Sequence, residues 1–237
     1  MRNLIFLLFF SGVIHAQVAN KLLIGDVEPK DNPRFKQIPS AFIKQQGRTY
    51  YLHKQALDSL TRMMNQAKSE GVQLKVISAF RSFNDQKWIW EAKWDGRRAV
   101  NGDLLPKEME AKEKALLILQ YSSMPGTSRH HWGTEVDLNA LENSYFESTE
   151  EGKIVYDWLV RNAEHYGFFQ PYTSKSSGRT GYEEEKWHWS FAPISEPYLD
   201  AFVAQIELEQ IPDFKGKELI QPLEIIQNYV LGVSRCK

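Results

Sequence analysis

Apolar residues recur at helical spacing in two long segments of the chain. Residues 54–70 place their apolar side chains on one face, and Gly71 follows them as a natural C-terminal stop. Residues 149–166 repeat this pattern and end before Gly167. Both segments are predicted to be amphipathic helices that pack against a core.

Shorter stretches alternate polar and apolar residues and predict strands. Residues 72–79, 134–138 and 187–191 have this character, and residues 168–172 are a further short candidate. As a strand, residues 134–138 turn Val136 and Leu138, together with Thr134, to one face and leave Glu135 and Asp137 on the other. One face of this strand therefore carries two carboxylates.

The remaining elements complete a mixed pattern. Ser82 and Asp85 resemble a capping box, which predicts a helix over residues 84–94. Helices are also predicted from Pro106 to residue 119, from residue 195 onward and over residues 219–231, whereas prolines break residues 18–50 into loops. This order of elements predicts an α+β fold: a small antiparallel sheet flanked by helices, with extra C-terminal helices.

Trp88, Trp90 and Trp94 lie close together in the helix predicted over residues 84–94. Such a cluster can form a platform for a substrate, but packing in the core and at its rim is the favoured interpretation.

Length and charge bound the class of protein. The chain has 237 residues and a formal net charge of −1, so it lacks the basic field that nucleic-acid binding needs. The length suits one domain over residues 17–237, with a helical tail from about residue 193. The single cysteine, Cys236, cannot form an internal disulfide and is too far along the chain from the motifs to be an expected nucleophile.

Residues 1–16 have the features of a secretory leader. Arg2 supplies a positive n-region, residues 4–14 form a nearly continuous apolar run, and Ala16 is a small residue before the cleavage point. The alternative is a buried N-terminal helix. The run is too short to span a bilayer and no second long apolar segment follows, so we expect an exported protein, periplasmic or extracellular, without a stable membrane span.

Histidines and carboxylates suggest a metal site. Six histidines are present; His15 lies in the predicted leader, and His53 and His165 lie in helix-like stretches, which leaves His130, His131 and His188 as candidate ligands. Asp137 could bind the same ion from the strand, and zinc suits such a set of nitrogen and oxygen ligands. Glu185, three residues before His188, could face a zinc-bound water as a general base, which is the layout of a hydrolytic site.

Three motifs together resemble the VanY-type zinc D-Ala-D-Ala carboxypeptidases. They are Ser128-x-His130-x-x-Gly133-x-x-x-Asp137, Glu185-x-x-His188, and an upstream segment from Ser78 to Gln86 that contains Arg81. They occur in the family's order and span roughly residues 50–192. The resemblance implies a zinc site in a cleft on the sheet, with Zn²⁺ held by His130, Asp137 and His188, a catalytic Glu185, and Arg81 stabilising the oxyanion.

The resemblance also implies a substrate and its contacts. Gln86 and Ser128 are expected near the substrate, where their side chains could hold a terminal carboxylate, and Trp187 is expected to contact it as well. For Ser128 a turn or N-cap role is the alternative. The implied partner is a peptidoglycan stem peptide from which a terminal D-alanine is removed.

Two departures from the family pattern leave the cleaved bond open. Glu135 stands where the family often has alanine, and Ser190 stands where it often has arginine. Glu135 could pair with Arg129 or Arg81, or reshape the substrate pocket. The alternatives are an LD-carboxypeptidase or an endopeptidase on peptidoglycan, a zinc peptidase for other small exported peptides, and a non-catalytic wall-binding module.

Overall fold

A four-stranded antiparallel sheet in the order β3-β4-β6-β5 lies at the centre of the protein, and β1 and β2 form a separate antiparallel pair. The computed structural model describes residues 18–236, so the predicted leader over residues 1–16 lies outside the described residues. The strands are β1 (Phe35–Gln37), β2 (Tyr51–His53), β3 (Val76–Ser78), β4 (Glu135–Leu138), β5 (Phe168–Phe169) and β6 (His188–Phe191).

Helices and short helical turns surround the sheet, as an α+β fold requires. The α-helices are α1 (Asn20–Leu23), α2 (Lys54–Ser69), α3 (Phe83–Trp94), α4 (Ala111–Ile118), α5 (Asn143–Ser148), α6 (Glu150–Asn162) and α7 (Ala192–Gln205). The 3₁₀ turns include Arg129–Trp132, Ala163–Tyr166, Leu208–Gln210 and Lys217–Leu219.

Strand β4 confirms the predicted alternation of faces. Val136 and Leu138 are fully buried in a core shared with Leu60 of α2 and Trp158 of α6. Glu135 and Asp137 point to the opposite side, where both approach His188 of β6. Because side chains alternate along a strand, the same residues that close the core on one side present carboxylates on the other.

A second core ties the C-terminal part of the chain to the domain. It contains Trp90 of α3, Phe202 of α7, and Ile211 and Ile225 from beyond α7. Trp90 is fully buried and donates its indole N–H to the Lys215 carbonyl at 2.8 Å. The residues after α7 therefore pack on the helix that follows Arg81.

Four local predictions are wrong. Residues 18–50, expected to be loops, contain α1 and β1. The helix expected from Pro106 begins only at Ala111, because residues 106–109 form a turn closed by the Met109 N–H on the Pro106 carbonyl. The helix expected over residues 219–231 is a 3₁₀ turn (Lys217–Leu219), a run of turns and a π-helical turn (Ile226–Val230), with Glu224 at φ +49° interrupting it. His53 ends β2 rather than lying in a helix.

The three tryptophans of α3 divide between the two roles considered for them. Trp90 is fully buried and Trp94 packs on it with ring centroids 6.1 Å apart, which confirms packing for both. Trp88 is 61% exposed and lines the main cleft of the protein, which Arg81 and Trp187 also line. Within residues 18–236, none of the helices has the length and hydropathy needed to cross a membrane.

Candidate metal centre

The register of the sheet brings the predicted ligands together. In the antiparallel pairing of β4 with β6, Asp137 lies directly opposite His188. His130 arrives from the 3₁₀ turn Arg129–Trp132, which ends at Gly133 in the left-handed region (φ +66°), against the Phe35 ring. A side chain at residue 133 would collide with that ring, so glycine permits the reversal from turn to strand.

Ligand atoms from His130, Asp137 and His188 all lie within 4.8 Å of one another, and the three residues are buried. Two ligand atoms that each lie about 2.1 Å from a tetrahedral zinc ion are roughly 3.4 Å apart. A small movement of the three side chains toward one another would therefore complete a zinc site. Asp137 Oδ1 lies 3.2 Å from His188 Nδ1 but receives no well-directed hydrogen bond from any described residue. A buried carboxylate oxygen without a donor suits a cation.

Hydrogen bonds set the tautomer of each histidine. His130 Nδ1 lies 2.7 Å from the Ala79 carbonyl, which can only accept, so Nδ1 carries the hydrogen and Nε2 is left as a lone pair. His188 Nε2 lies 2.7 Å from Glu135 Oε2 and donates to it, which directs Nδ1 toward Asp137. Each ring thus turns one nitrogen toward the proposed metal position, and its other nitrogen is held by a hydrogen bond on the outer side of the cluster.

The electrostatics of this cluster favour a cation. Burial lowers the pKa of His130, and the nearby Arg81 lowers it further, so this ring is neutral. Burial opposes ionisation of Asp137, but its interactions with His130, His188 and Arg81 hold its pKa well below the usual value. The donor set is two imidazoles and one carboxylate, which fits zinc and leaves a position for water.

Glu185 lies beside this cluster in the predicted position. The His188 N–H and the Glu185 carbonyl close a turn at 3.3 Å, which brings the two side chains together, with Glu185 Oε2 3.4 Å from His188 Nδ1. Glu185 is only 5% exposed, and burial raises its pKa. A carboxyl group with a raised pKa can both accept and return a proton near neutral pH.

Arg81 is held by four side-chain contacts at the end of β3. Its guanidinium donates to Ser78 Oγ, Gln86 Oε1, His130 Nε2 and Asp137 Oδ2 at distances of 2.9–3.0 Å. The group faces the cleft with 22% of its side chain exposed. A rigid, partly exposed guanidinium next to the donor set can stabilise negative charge that develops on a substrate oxygen.

His131, the weaker ligand candidate, faces away from the metal cluster. Its Nδ1 donates to the Arg81 carbonyl at 2.7 Å and its Nε2 accepts from the Gly126 N–H at 3.1 Å. The ring is fully buried, and burial lowers its pKa to about 4. Both nitrogens are occupied, so His131 fixes the backbone of Arg81 and is not a ligand.

Gly25 allows the His131 ring to pack. A Cβ at residue 25 would lie 2.3 Å from His131 Nδ1, and Gly25 has φ +80°. We expect Gly25→Ala to destabilise the fold by about 2–4 kcal/mol, from left-handed strain of roughly 1 kcal/mol plus the overpacking. Gly71→Ala is the matched control, since Gly71 also has φ +80° but nothing within 4 Å of its added Cβ. Equal losses of thermal stability in the two variants would contradict the contact.

Glu135 forms a buried network behind His188. Its Oε1 accepts from Thr134 Oγ1 at 2.9 Å and Ser190 Oγ at 2.8 Å, and the Arg129 guanidinium lies 3.4 Å away. Burial raises the pKa of Glu135, but Arg129 and the hydrogen bond from His188 outweigh it and bring the pKa to about 2. Of the two partners suggested by the sequence, Arg129 is the one that pairs with Glu135.

Only one of the three residues predicted to contact the substrate lines the cleft. Trp187 lines the cleft and packs on Tyr121 with ring centroids 6.0 Å apart. Gln86 is fully buried outside the cleft wall and bridges Arg81 to the Ser123 carbonyl. Ser128 is buried outside the wall as well, and its side chain does not cap the turn that follows it. Substrate contact by Gln86 and Ser128 stays a prediction; in this structure Gln86 holds Arg81.

Sequence reasoning missed several residues of the cleft. Tyr172 packs its ring on His188 at 4.7 Å between centroids, and Tyr121, Lys93 and Arg98 line the same cavity of about 610 Å³. These residues belong to separate segments without motif spacing, so the sequence contained no signal that they meet.

Comparison with known proteins agrees with this geometry. The family model described as VanY, D-alanyl-D-alanine carboxypeptidase, matches residues 49–194, which is more than half of the chain and contains the whole cluster. The chain belongs to the VanY family. The match ends three residues into α7, so the C-terminal segment that packs on α3 lies beyond the VanY domain.

Relatives of the VanY domain include named carboxypeptidases. YodJ of Bacillus subtilis is 34% identical over 143 residues, which is 58% of this chain and 45% of that protein. A D-alanyl-D-alanine carboxypeptidase of Enterococcus faecalis is 30% identical over 135 residues, or 57% of this chain and 46% of the relative. The chain thus spans about half the length of the curated relatives it matches.

The fold also resembles a solved structure. The LdcB LD-carboxypeptidase superposes with a TM-score of 0.53 at 23% identity, covering 90% of this chain and 82% of LdcB. The coverage extends the likeness in fold beyond the VanY domain itself.

Proposed function

We propose that this chain is an exported zinc carboxypeptidase that hydrolyses the terminal peptide bond of peptidoglycan stem peptides, most simply releasing D-alanine. The carrying observation is a buried Glu185 with a raised pKa, placed 3.4 Å from the cluster of His130, Asp137 and His188 inside a cleft. A purely structural zinc site needs no such acid. Membership of the VanY family supports the reaction class.

The residues of the cleft divide the work of amide hydrolysis. Zinc held by the three ligands would act as a Lewis acid and lower the pKa of bound water to about 7. Glu185 accepts a proton from the attacking water and returns it to the departing amine, so water is added across the peptide bond. Arg81 donates hydrogen bonds to the carbonyl oxygen as it becomes negative. Trp187 and Tyr121 form an apolar wall beside the reacting bond.

The groups that contact the outer sides of the ligands and of Arg81 hold them in place for this role. Ala79 and Glu135 hold the outer nitrogens of His130 and His188, and Gln86 with Ser78 holds Arg81. The two histidine rings then need little reorganisation during the reaction, which is how a preorganised site lowers a barrier.

Incubation of zinc-loaded protein with a defined muropeptide pentapeptide tests the proposal, with product masses as the readout. We expect loss of one alanine, abolished by a chelator and restored by added zinc. Loss of alanine only from a tetrapeptide would assign LD-carboxypeptidase activity instead. Cleavage of a cross-linked dimer would assign an endopeptidase, and binding without any change of mass would leave only a wall-binding module.

A further inference from the structure

Three cations of the main cleft lack a carboxylate partner. They are Arg48, Lys93 and Arg98. In the described part of the chain, no carboxylate oxygen of Asp or Glu lies within 4 Å, the distance of an ion pair, of their side-chain nitrogens. Arg81, a fourth cation of the cleft, is by contrast paired with Asp137 at 2.9 Å. Asp85 and Glu185 also line the cleft, but neither forms an ion pair with Arg48, Lys93 or Arg98, so the charges of these three cations are available to a bound anion.

Lys93 is the most enclosed of the three cations. It lies on the last turn of α3, and its ammonium donates to Ser122 Oγ at 2.6 Å. Burial lowers its pKa to about 8, and the charges of Arg98 and Arg81 contribute to this shift, so the group is still mostly charged at neutral pH. An enclosed ammonium with one neutral partner leaves hydrogen-bond donors unused.

Arg98 adds a second unused cation near Lys93. It follows α3 in an exposed loop and has no side-chain hydrogen bond or ion pair to any residue that the structure describes. Adjacent Arg97 differs, because its guanidinium lies 3.3 Å from Asp95 and outside the cleft wall. Two arginines side by side in the sequence thus have different electrostatic environments.

The cleft continues past Lys93 into a second cavity of about 640 Å³. Lys93, Tyr121, Leu141 and Trp187 belong to the walls of both cavities. Lys93 is therefore positioned along an extended groove, beside the aromatic wall and close enough to Glu185 for the two charges to interact, and Arg98 lines the first part of this groove. A peptide lying in this groove would pass both the catalytic group and the cations.

We infer that Lys93 and Arg98 form a subsite for a carboxylate of the bound peptide. A carboxylate can accept from both groups at once, and charge-assisted hydrogen bonds of this kind are about twice as strong as neutral ones. The ligand class is an anionic peptide, and the anion is either its C-terminal carboxylate or an internal one. This inference rests on the proposed peptidase function of the same cleft, and it gives that cleft a basis for selecting acidic peptides.

Binding measured without turnover tests the subsite separately from the reaction. The background is zinc-loaded Glu185→Gln protein, titrated calorimetrically with the muropeptide pentapeptide, with its C-terminal amide, and with an analogue whose internal glutamyl carboxylate is amidated. We expect one of the two amides to bind about 10- to 100-fold more weakly than the free acid. The affected analogue identifies which carboxylate occupies the subsite.

Substitution of the cations should then remove this preference. In Arg98→Gln and Lys93→Met the affinity for the free acid should fall to that of the affected amide, whereas the amide's own affinity stays the same. Lys93→Arg should retain the preference, and Arg97→Gln is the matched control that should leave it unchanged. The inference is overturned if neither amide binds more weakly than the acid, or if the substitutions weaken acid and amides alike. Binding selectivity in a wild-type protein that cleaves nothing would instead refute the proposed function alone.

Discussion

Glu185→Gln is expected to reduce kcat on the pentapeptide by about 10²- to 10⁴-fold while zinc remains bound. The amide keeps the shape of the side chain and its place 3.4 Å from His188 Nδ1, but it cannot accept a proton from water. Because Glu185 is not one of the three clustered ligands, the metal content measured by plasma mass spectrometry should match that of the wild type. Turnover is followed by release of D-alanine.

Glu184→Gln is the matched control for this substitution. Glu184 precedes Glu185 in the same acidic run, lies outside the cleft wall and approaches Lys186 at 4.0 Å. Its replacement should leave kcat within about twofold of the wild type, as is usual for surface substitutions. If the Glu185→Gln protein is fully active, Glu185 is not the general base. If both variants lose the same activity, the loss reflects the negative charge of the acidic run and not proton transfer by Glu185.

Glu135→Ala is expected to produce the largest loss of stability among single substitutions at the site, about 3–5 kcal/mol. The truncation leaves Arg129 fully buried without its carboxylate and removes the acceptor of His188 Nε2 at 2.7 Å. Loss of an outer partner of a ligating histidine typically lowers metal affinity about 10- to 100-fold. Chemical denaturation measures the first effect and competition with a zinc chelator measures the second.

Two further variants separate the charge from the hydrogen bond. Glu135→Gln retains an oxygen that can accept from His188 but removes the charge opposite Arg129, so it should lose stability and keep more of the zinc affinity than Glu135→Ala. The double variant Glu135→Ala with Arg129→Met removes the unpaired cation and should recover part of the stability without recovering zinc affinity. If Glu135→Ala binds zinc like the wild type, Glu135 does not position His188.

Glu135 and Arg129 also show how a departure from a family pattern can be compensated. The strand prediction placed Glu135 on the metal side of β4, which the structure confirms. The sequence left Arg129 and Arg81 as equal candidates to neutralise it. Tertiary packing decides which arginine pairs with Glu135. Arg81 is turned toward Asp137, whereas Arg129 donates to Ser190 Oγ of β6 at 2.8 Å.

Local sequence determined the elements that hold the chemistry. Alternation along residues 134–138 and the spacing of Glu185 and His188 are short-range signals, because side-chain direction in a strand or a tight turn depends on neighbouring residues. The capping box of Ser82 and Asp85 likewise starts α3 as predicted. These signals indicated a metal site with an acid beside it. The resemblance to the VanY family implied His130, Asp137 and His188 as its ligands, and the positions of these side chains and of Glu185 agree with that expectation.

Tertiary structure alone decided which side chains surround that point. His131 resembles His130 in sequence, yet contacts with the Arg81 carbonyl and Gly126 turn its ring away from the cluster. Lys93 and Arg98 line the groove because the end of α3 packs beside residues near 121 and 187, a juxtaposition of segments far apart in the chain. Such contacts depend on long-range packing, for which a single sequence contains no periodic signal. The strand and turn geometry of the ligands, by contrast, is determined by neighbouring residues.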